Sequence, residues 1–556
     1  MKLRLDVAVV PVIPRRLKCP APNSSVKCNR LSYLLDVAVV PVIPKRLKCP
    51  APNSSVKCNR LSYLRSQITL PSHPRSLSEM PIADAIATQL RETFTCGSTR
   101  SYEWRMSQLE QILKLTDENQ TQITEALHQD MGKPVFESFI SEISLTKSSC
   151  KVAIKELKSW MTPQKVSTTI TVFPSSAEIV PEPLGAVLII SAWNYPFLLS
   201  MDPVIGAIAA GNVVVLKPSE VAPATSSLLA RLIPRYLDNS AVRVVEGSVV
   251  ETTSLLEQKW DKIFYTGSGK IGRIVMAAAA KHLTPVTLEL GGKCPVIVDP
   301  TVDLEVTARR IIAGKWGSNN GQACISPDYV ITLESFAPKL IDALKVTLEK
   351  FFGKDPFQSA DLSRIVNFSH FARLTRLLDD PKVSDKVIYG GQRDEKRLII
   401  APTLLLDAPM DSLIMTEEIF GPLLPIITVQ KMEEALEVVS SLPKPLAAYL
   451  FTKNKMFERQ VVASISAGGM VVNDTALHLV NHHLPFGGVG ESGMGAYHGK
   501  FSFENFSHRK AVLYRGFMGD LMARYPPYTR RKQKIVRCLL NGDFLGLLYA
   551  LIGWNN

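Results

Sequence analysis

Cys324 stands in a turn of small residues, Gly321-Gln322-Ala323-Cys324-Ile325-Ser326, after the helical pattern Val306–Lys315. A nucleophilic thiol needs access, and flanking glycine and alanine leave room for a substrate. An inert buried cysteine is the alternative, and the commoner fate of a single thiol. Glu289 interrupts the apolar strand pattern of Leu288-Glu289-Leu290 just before Gly291-Gly292-Lys293. A carboxyl group among apolar neighbours has a raised pKa and can act as a general base. An alternating strand with one solvated carboxylate fits the same pattern. Gly267-Ser268-Gly269-Lys270-Ile271-Gly272 follows a strand and opens a helix. In that context Gly-x-Gly-x-x-Gly brings a phosphate to helix N–H groups, although a plain strand–helix turn serves equally well. Lys217 and Glu220, in Leu216-Lys217-Pro218-Ser219-Glu220, lie where an apolar strand ends. Open α/β sheets bind ligands at strand ends, Pro218 breaks the strand so that both side chains are aimed outward, and a carboxylate there can accept two ribose hydroxyls. A solvated charge pair at a helix start is the competing reading.

These residues need a scaffold, and the hydrophobic pattern supplies one. Residues 79–160 show helical spacing, with Leu109, Ile112, Leu113, Ile123 and Leu127 on an apolar face and a break at Gly132-Lys133-Pro134. Residues 164–180 read as β structure with a turn near Pro174. Apolar runs at Ala186–Ile190, Val213–Leu216, Val242–Val245, Lys262–Tyr265 and Val286–Leu290 then alternate with helices, which predicts a parallel sheet covered on both faces. The glycine-rich turn follows the fourth of these strands. A Rossmann fingerprint would follow the first, with an acidic residue ~20 positions on. A second α/β region runs from Pro295–Val298 to about residue 490, with no Gly/Ser-rich linker between the two.

The chain has 556 residues and a formal net charge of +13. With 46% hydrophobic and 21% charged residues, disordered, collagenous and disulfide-scaffold classes are excluded. Such a charge ordinarily points to nucleic acid or anionic membrane. Here it is local: residues 1–78 hold 14 Lys and Arg against Asp6 and Asp36, a balance of +12, which leaves +1 for residues 79–556. No nucleic-acid partner is expected. Within the leader, Leu5–Leu34 is repeated as Leu35–Leu64 with one change, Arg15 to Lys45. Two Pro-rich copies are too few for a stacked solenoid. The basic, Ser-containing, acid-poor composition is that of an organelle transit peptide, the alternative being an extension without an address. Outside the leader, Cys96, Cys150, Cys294, Cys324 and Cys538 form an odd, widely spaced set without Cys-x-x-Cys, neither a disulfide framework nor a metal site.

Six segments occur together and in order: WNYP at Trp193–Pro196, LKPSE at Leu216–Glu220, LELGGK around Glu289, GQACIS around Cys324, EEIFGP at Glu417–Pro422 and PFGGVGESGMGAYHGK at Pro485–Lys500. Over residues 80–528 the chain resembles the aldehyde dehydrogenase superfamily, in particular the plant-type members of its class 3 group. One departure is Gly317-Ser318, where plant relatives are expected to carry Gly-Cys. The resemblance implies an α/β fold with a Rossmann-type NAD-binding domain at 79–290, interrupted by an oligomerisation hairpin at 164–180. A catalytic domain at 291–490 and a C-terminal part at 491–528, with an oligomerisation strand at Lys510–Tyr514, complete it. It implies that Cys324 attacks an aldehyde, that the Cys324 N–H and the Asn194 amide hold the oxyanion, and that Glu289 activates water against the thioester. It further implies that Glu418 holds the nicotinamide ribose, Phe420 packs near the nicotinamide, Lys217 and Glu220 hold the adenosine ribose, Ser268 meets the pyrophosphate, and Trp193, Gly267 and Gly272 also belong to the cofactor site. Glu220 would repel a 2′-phosphate, which favours NAD over NADP while leaving dual use open. The expected activity is oxidation of medium- or long-chain, lipid-derived aldehydes to acids by a homodimer, detoxifying reactive aldehydes. A non-catalytic scaffold and a coenzyme A-acylating dehydrogenase are the alternatives. The leader and the plant-type resemblance point to the chloroplast, with the cytosol or a membrane surface as alternatives.

Residues 529–556 form a basic and apolar tail. Five basic residues in 530–537 precede an apolar helix pattern in which Phe544, Leu547, Leu548 and Leu551 share a face. At 17 residues the apolar segment is marginal against the ~20 of a membrane span. Two expectations follow, an interfacial helix on anionic lipid or a helix packed on its own or a partner subunit.

Overall fold

The computed structural model describes residues 82–552, so the duplicated basic leader and its expected targeting role lie outside the described residues. Continuous apolar strands give a sheet buried on both faces. All five residues of Ala186–Ile190, of Val213–Lys217 and of Lys262–Thr266 are buried. The first sheet has six strands in the order Gly493–Met494, Val286–Glu289, Lys262–Thr266, Ala186–Ile190, Val213–Lys217, Val242–Val244. Five run parallel; Gly493–Met494 returns from far along the chain to pair antiparallel with Val286–Glu289. The second sheet has seven strands in the order Val387–Tyr389, Thr403–Leu406, Leu423–Val429, Tyr329–Leu333, Pro295–Val298, Ala447–Phe451, Gly469–Val472. It is parallel except for Val387–Tyr389.

This topology decides where chemistry can sit. Lys217, Thr266 and Glu289 end parallel strands of the first sheet, so LKPSE, the glycine-rich turn and LELGGK emerge along one carboxyl edge, the side where α/β sheets bind ligands. The chain passes from Glu289 through Gly291-Gly292 directly into Pro295–Val298 of the second sheet. There GQACIS precedes Tyr329–Leu333 and EEIFGP precedes Leu423–Val429, two paired parallel strands entered from the same end. Leu109, Ile112, Ile123 and Leu127 are fully buried, as their spacing predicts, and Leu113 is half-buried against the same core. The helix Leu198–Ala210 is buried along its whole length, so the Trp193–Pro196 loop is rooted in the core.

The β segment expected at 164–180 is the antiparallel pair Gln164–Val166 and Ser175–Pro183. The strand expected at Lys510–Tyr514 is Ser507–Arg515, which pairs with Ser175–Pro183 in a separate three-stranded sheet. At the C-terminus, Arg530–Leu540 and Phe544–Ile552 pack on each other through Ile535, Ala550 and Leu547. Phe544, Leu545, Leu548 and Leu551 remain exposed on the outer side. Among the described residues no helix is long and apolar enough to cross a membrane.

Candidate active site

The turn leading to Cys324 has an unusual backbone that its sequence suits. Asn319, Asn320 and Gly321 lie consecutively in the left-handed region, at φ 51°, 50° and 82°. Asparagine and glycine enter that region at least cost. A Cβ on Gly321 would collide with the Gly421 carbonyl oxygen, so the absence of a side chain lets the turn lie directly on the EEIFGP loop. Buried side chains brace it: Asn320 donates to the Ser363 carbonyl at 2.9 Å, and Gln322 accepts from Val366 N–H at 3.0 Å. Cys324 itself is half-buried. Burial foremost, then the Glu418 and Glu289 carboxylates, push its thiol up to about 12. The site therefore holds a protonated thiol at rest, and both carboxyl groups are near enough to act on it.

Glu289 is 2% exposed, and neither carboxylate oxygen has a hydrogen-bond partner among the described residues. Burial raises its pKa well above the carboxylate range. This excludes the solvated strand residue and leaves an acid that gains from accepting a proton. Its backbone is held by Gly267 N–H, which donates to the Glu289 carbonyl at 3.0 Å, and by the pairing with Gly493. Asn194 is buried, and its carbonyl accepts from Asn319 Nδ2 at 2.9 Å. Since Asn319 belongs to the nucleophile turn, this bond ties WNYP to Cys324 across 125 residues of sequence.

The remaining residues form a path along the strand ends. Lys217 is buried and ion-paired with Glu220, which is exposed. This corrects the expectation that Pro218 aims both outward: Glu220 reaches solvent, but the lysine folds under it because an unpaired ammonium there would lose its hydration. Ser268 caps the helix Gly269–Ala280, whose N-terminus gathers partial positive charge, and Gly272 is buried in its first turn. At the other end, Glu418 accepts from Gly292 N–H at 3.0 Å, and burial lifts its carboxyl to about 7. A Cβ on Gly291 would collide with Glu418 Oε1, so the Gly-Gly pair is what makes room for this carboxylate. Phe420, itself at φ 51°, meets Trp193 edge-on at 5.4 Å.

Sequence reading missed the groups that hold this end. Asp328 accepts from Ile419 N–H at 3.0 Å and is ion-paired with Lys293, whose ammonium also donates to the Ile414 and Glu417 carbonyls at 2.8 and 3.1 Å. Arg373 donates to the carbonyls of Glu418 and Ile419 at 3.3 and 2.5 Å. One turn earlier, His370 packs on Trp193 at 4.9 Å. Lys293 sits inside LELGGK and Asp328 two residues after GQACIS, and charged residues in otherwise apolar strand entries were the available signal. For His370 and Arg373 there was none.

This donor set fits a dinucleotide: carboxylates for hydroxyls at both ends, a capped helix N-terminus between them, and glycines leaving space where a Cβ would collide. The aldehyde dehydrogenase family model matches residues 76–512. Aldehyde dehydrogenase family 3 member H1 of Arabidopsis thaliana is 63% identical, the match covering 85% of this chain and 97% of the relative. Family 3 member I1 of Arabidopsis thaliana, described as chloroplastic, is 61% identical over 85% of this chain and 86% of its own length. A solved structure of Staphylococcus aureus AldH in a substrate-bound state aligns with a TM-score of 0.80 at 42% identity, covering 83% of this chain and all of that one. Family members use NAD or NADP. The fold, the ordered motifs and these likenesses agree, and the chain belongs to the aldehyde dehydrogenase family, whose family 3 relatives carry out NAD(P)-dependent oxidation of aldehydes.

Proposed function

We propose that this chain oxidises aliphatic, lipid-derived aldehydes of medium or long chain to carboxylic acids, with Cys324 as nucleophile, Glu289 as general base and Asn194 as oxyanion donor. The observation that carries this reading is the buried, partnerless carboxyl of Glu289 in electrostatic contact with a half-buried cysteine. Cys324 gives its thiol proton to solvent water as its sulfur bonds to the aldehyde carbon, and the charge on the former carbonyl oxygen is met by the Cys324 N–H and the Asn194 amide. Such donors are each worth about 3–4 kcal/mol because they act where charge develops. NAD(P), when bound, would accept the hydride from the aldehyde carbon, which leaves a thioester on Cys324. Lys217, Glu220, Ser268 and Glu418 would hold the cofactor, with Trp193 and Phe420 against the nicotinamide end. Glu289 then takes a proton from water as its oxygen attacks the thioester and passes it to the departing Cys324 sulfur, so that the carboxylate and the thiol are both restored. Exposed Phe136, Phe139 and Ile140 stand on the segment whose Glu142 reaches the base of the WNYP loop, apolar surroundings suited to an alkyl chain.

NADH formation with hexanal and nonanal, with and without coenzyme A, tests the activity. NADH without coenzyme A is expected. Its absence with every aldehyde would favour a non-catalytic scaffold, and strict dependence on coenzyme A an acylating enzyme. The exposed edge of Ser507–Arg515 supports a homodimer, and the chloroplastic relative supports a plastid address. The basic Arg530–Leu540 helix beside exposed Phe544, Leu545 and Leu548 supports contact with anionic lipid. Flotation with phosphatidylglycerol vesicles is expected to carry the full chain upward at low salt. A chain left at the bottom would reject that contact.

A further inference from the structure

Lys133 and Glu142 form an ion pair at 2.5 Å with both side chains fully buried. Two charges so placed lose their hydration, and their attraction repays that loss only when every remaining donor and acceptor is used. The partners they use are all in the WNYP region. Lys133 Nζ donates to the Asn194 carbonyl at 3.1 Å and lies 4.1 Å over the Tyr195 ring. Glu142 Oε2 accepts from Phe197 N–H at 2.9 Å and Leu198 N–H at 3.2 Å, at the start of the buried helix. A carboxylate at a helix N-terminus is favourably placed. The loop from Asn194 to Leu198 is thus gripped at both ends by two side chains that also lock each other. The same segment reaches the nucleophile turn: Glu137 accepts from Asn319 N–H at 2.6 Å, and Asn319 Nδ2 is the second donor on the Asn194 carbonyl at 2.9 Å.

We infer that the Lys133–Glu142 pair, with Asn319, positions the oxyanion hole: it clamps the Asn194 main chain relative to Cys324, so that the Asn194 amide meets the developing oxyanion without rearranging. The inference rests on the assignment of Asn194 as oxyanion donor. None of the three touches substrate; each acts through Asn194. Oxyanion donors work only when aimed beforehand, and a misplacement of about 1 Å can cost on the order of 100-fold in rate.

The test replaces the pair as a unit, Lys133→Met with Glu142→Gln. This removes both charges, keeps the volume and leaves a side-chain amide oxygen to accept from Phe197 and Leu198, so the fold tolerates it better than a single change. With hexanal, kcat is expected to fall about 10- to 100-fold while the KM for NAD stays within about twofold. The decisive reading is a double-mutant cycle with Asn194→Ala. In the Asn194→Ala background, replacing the pair should lower kcat by no more than about threefold, because the group it positions is gone. A loss that multiplies in full with that of Asn194→Ala, or wild-type kcat in the pair variant, overturns the inference. If the pair variant fails to fold, Asn319→Gly decides by the same cycle, since glycine keeps the left-handed turn and removes the second clamp together with only two longer contacts of the same amide, to the Gln322 carbonyl at 3.4 Å and the Met131 sulfur at 3.6 Å. Wild-type kcat in Asn194→Ala alone would instead overturn the oxyanion assignment.

Discussion

Replacing Cys324 by alanine is expected to abolish aldehyde turnover, lowering kcat by on the order of 10⁴-fold or more, as when the nucleophile of other covalent mechanisms is removed. Binding of NAD should survive, because Lys217, Glu220, Ser268 and Glu418 are positioned by strand ends and by Gly292, not by the thiol. NADH formation with hexanal and fluorescence titration with NADH read the two effects separately. Retained dehydrogenase activity would refute the nucleophile assignment. The half-buried thiol, raised to about 12, adds a second signature. A thiol above its ordinary range is mostly protonated at neutral pH, so alkylation of the wild-type protein by iodoacetamide in the absence of cofactor should be slow and should accelerate as pH rises.

Glu289→Gln should separate the two halves of the reaction. Glutamine keeps the shape but cannot take a proton, so thioester hydrolysis slows by about 10²- to 10⁴-fold. Acylation, which in the proposed scheme needs the thiol and the oxyanion donors, proceeds once. Rapid mixing with hexanal and NAD should show a burst of about one NADH per Cys324, followed by a near halt. A loss of the burst in proportion to the steady rate would show that Glu289 serves acylation as well. The pH dependence carries the same sign. Burial holds the Glu289 carboxyl well above the carboxylate range, so the basic form is scarce at low pH and grows as pH rises through the raised pKa. Steady-state turnover limited by hydrolysis should rise with pH in the wild type and lose that slope in Glu289→Gln.

The elements that place the site were legible because each is short-range. A run such as Val213–Lys217, apolar at every position until its last residue, can only be a strand covered on both faces, and its end is then the sheet edge. The same local logic marked Glu289, a carboxyl in an apolar strand, and Cys324, a thiol among small residues. It went astray at Lys217, where Pro218 ends the strand but does not decide whether the ammonium turns to solvent or back under Glu220.

The sequence by itself determined the order of elements, the edge on which the chemistry gathers and, through ordered motifs, the family. Only the tertiary structure decided what holds those residues in place. Lys133 and Asn194 are 61 residues apart, Arg373 and Glu418 are 45, and Glu137 and Asn319 are 182. No periodicity links such pairs, because their contacts arise from how strands order themselves in two sheets and from which segments a buried charge finds when it loses water. Gly493, from a motif remote in the chain, lies beside Glu289 for the same reason. A carboxyl in an apolar strand can be read as a candidate base; that it has no hydrogen-bond partner among the described residues, which supports that reading, is a property of the packed interior alone.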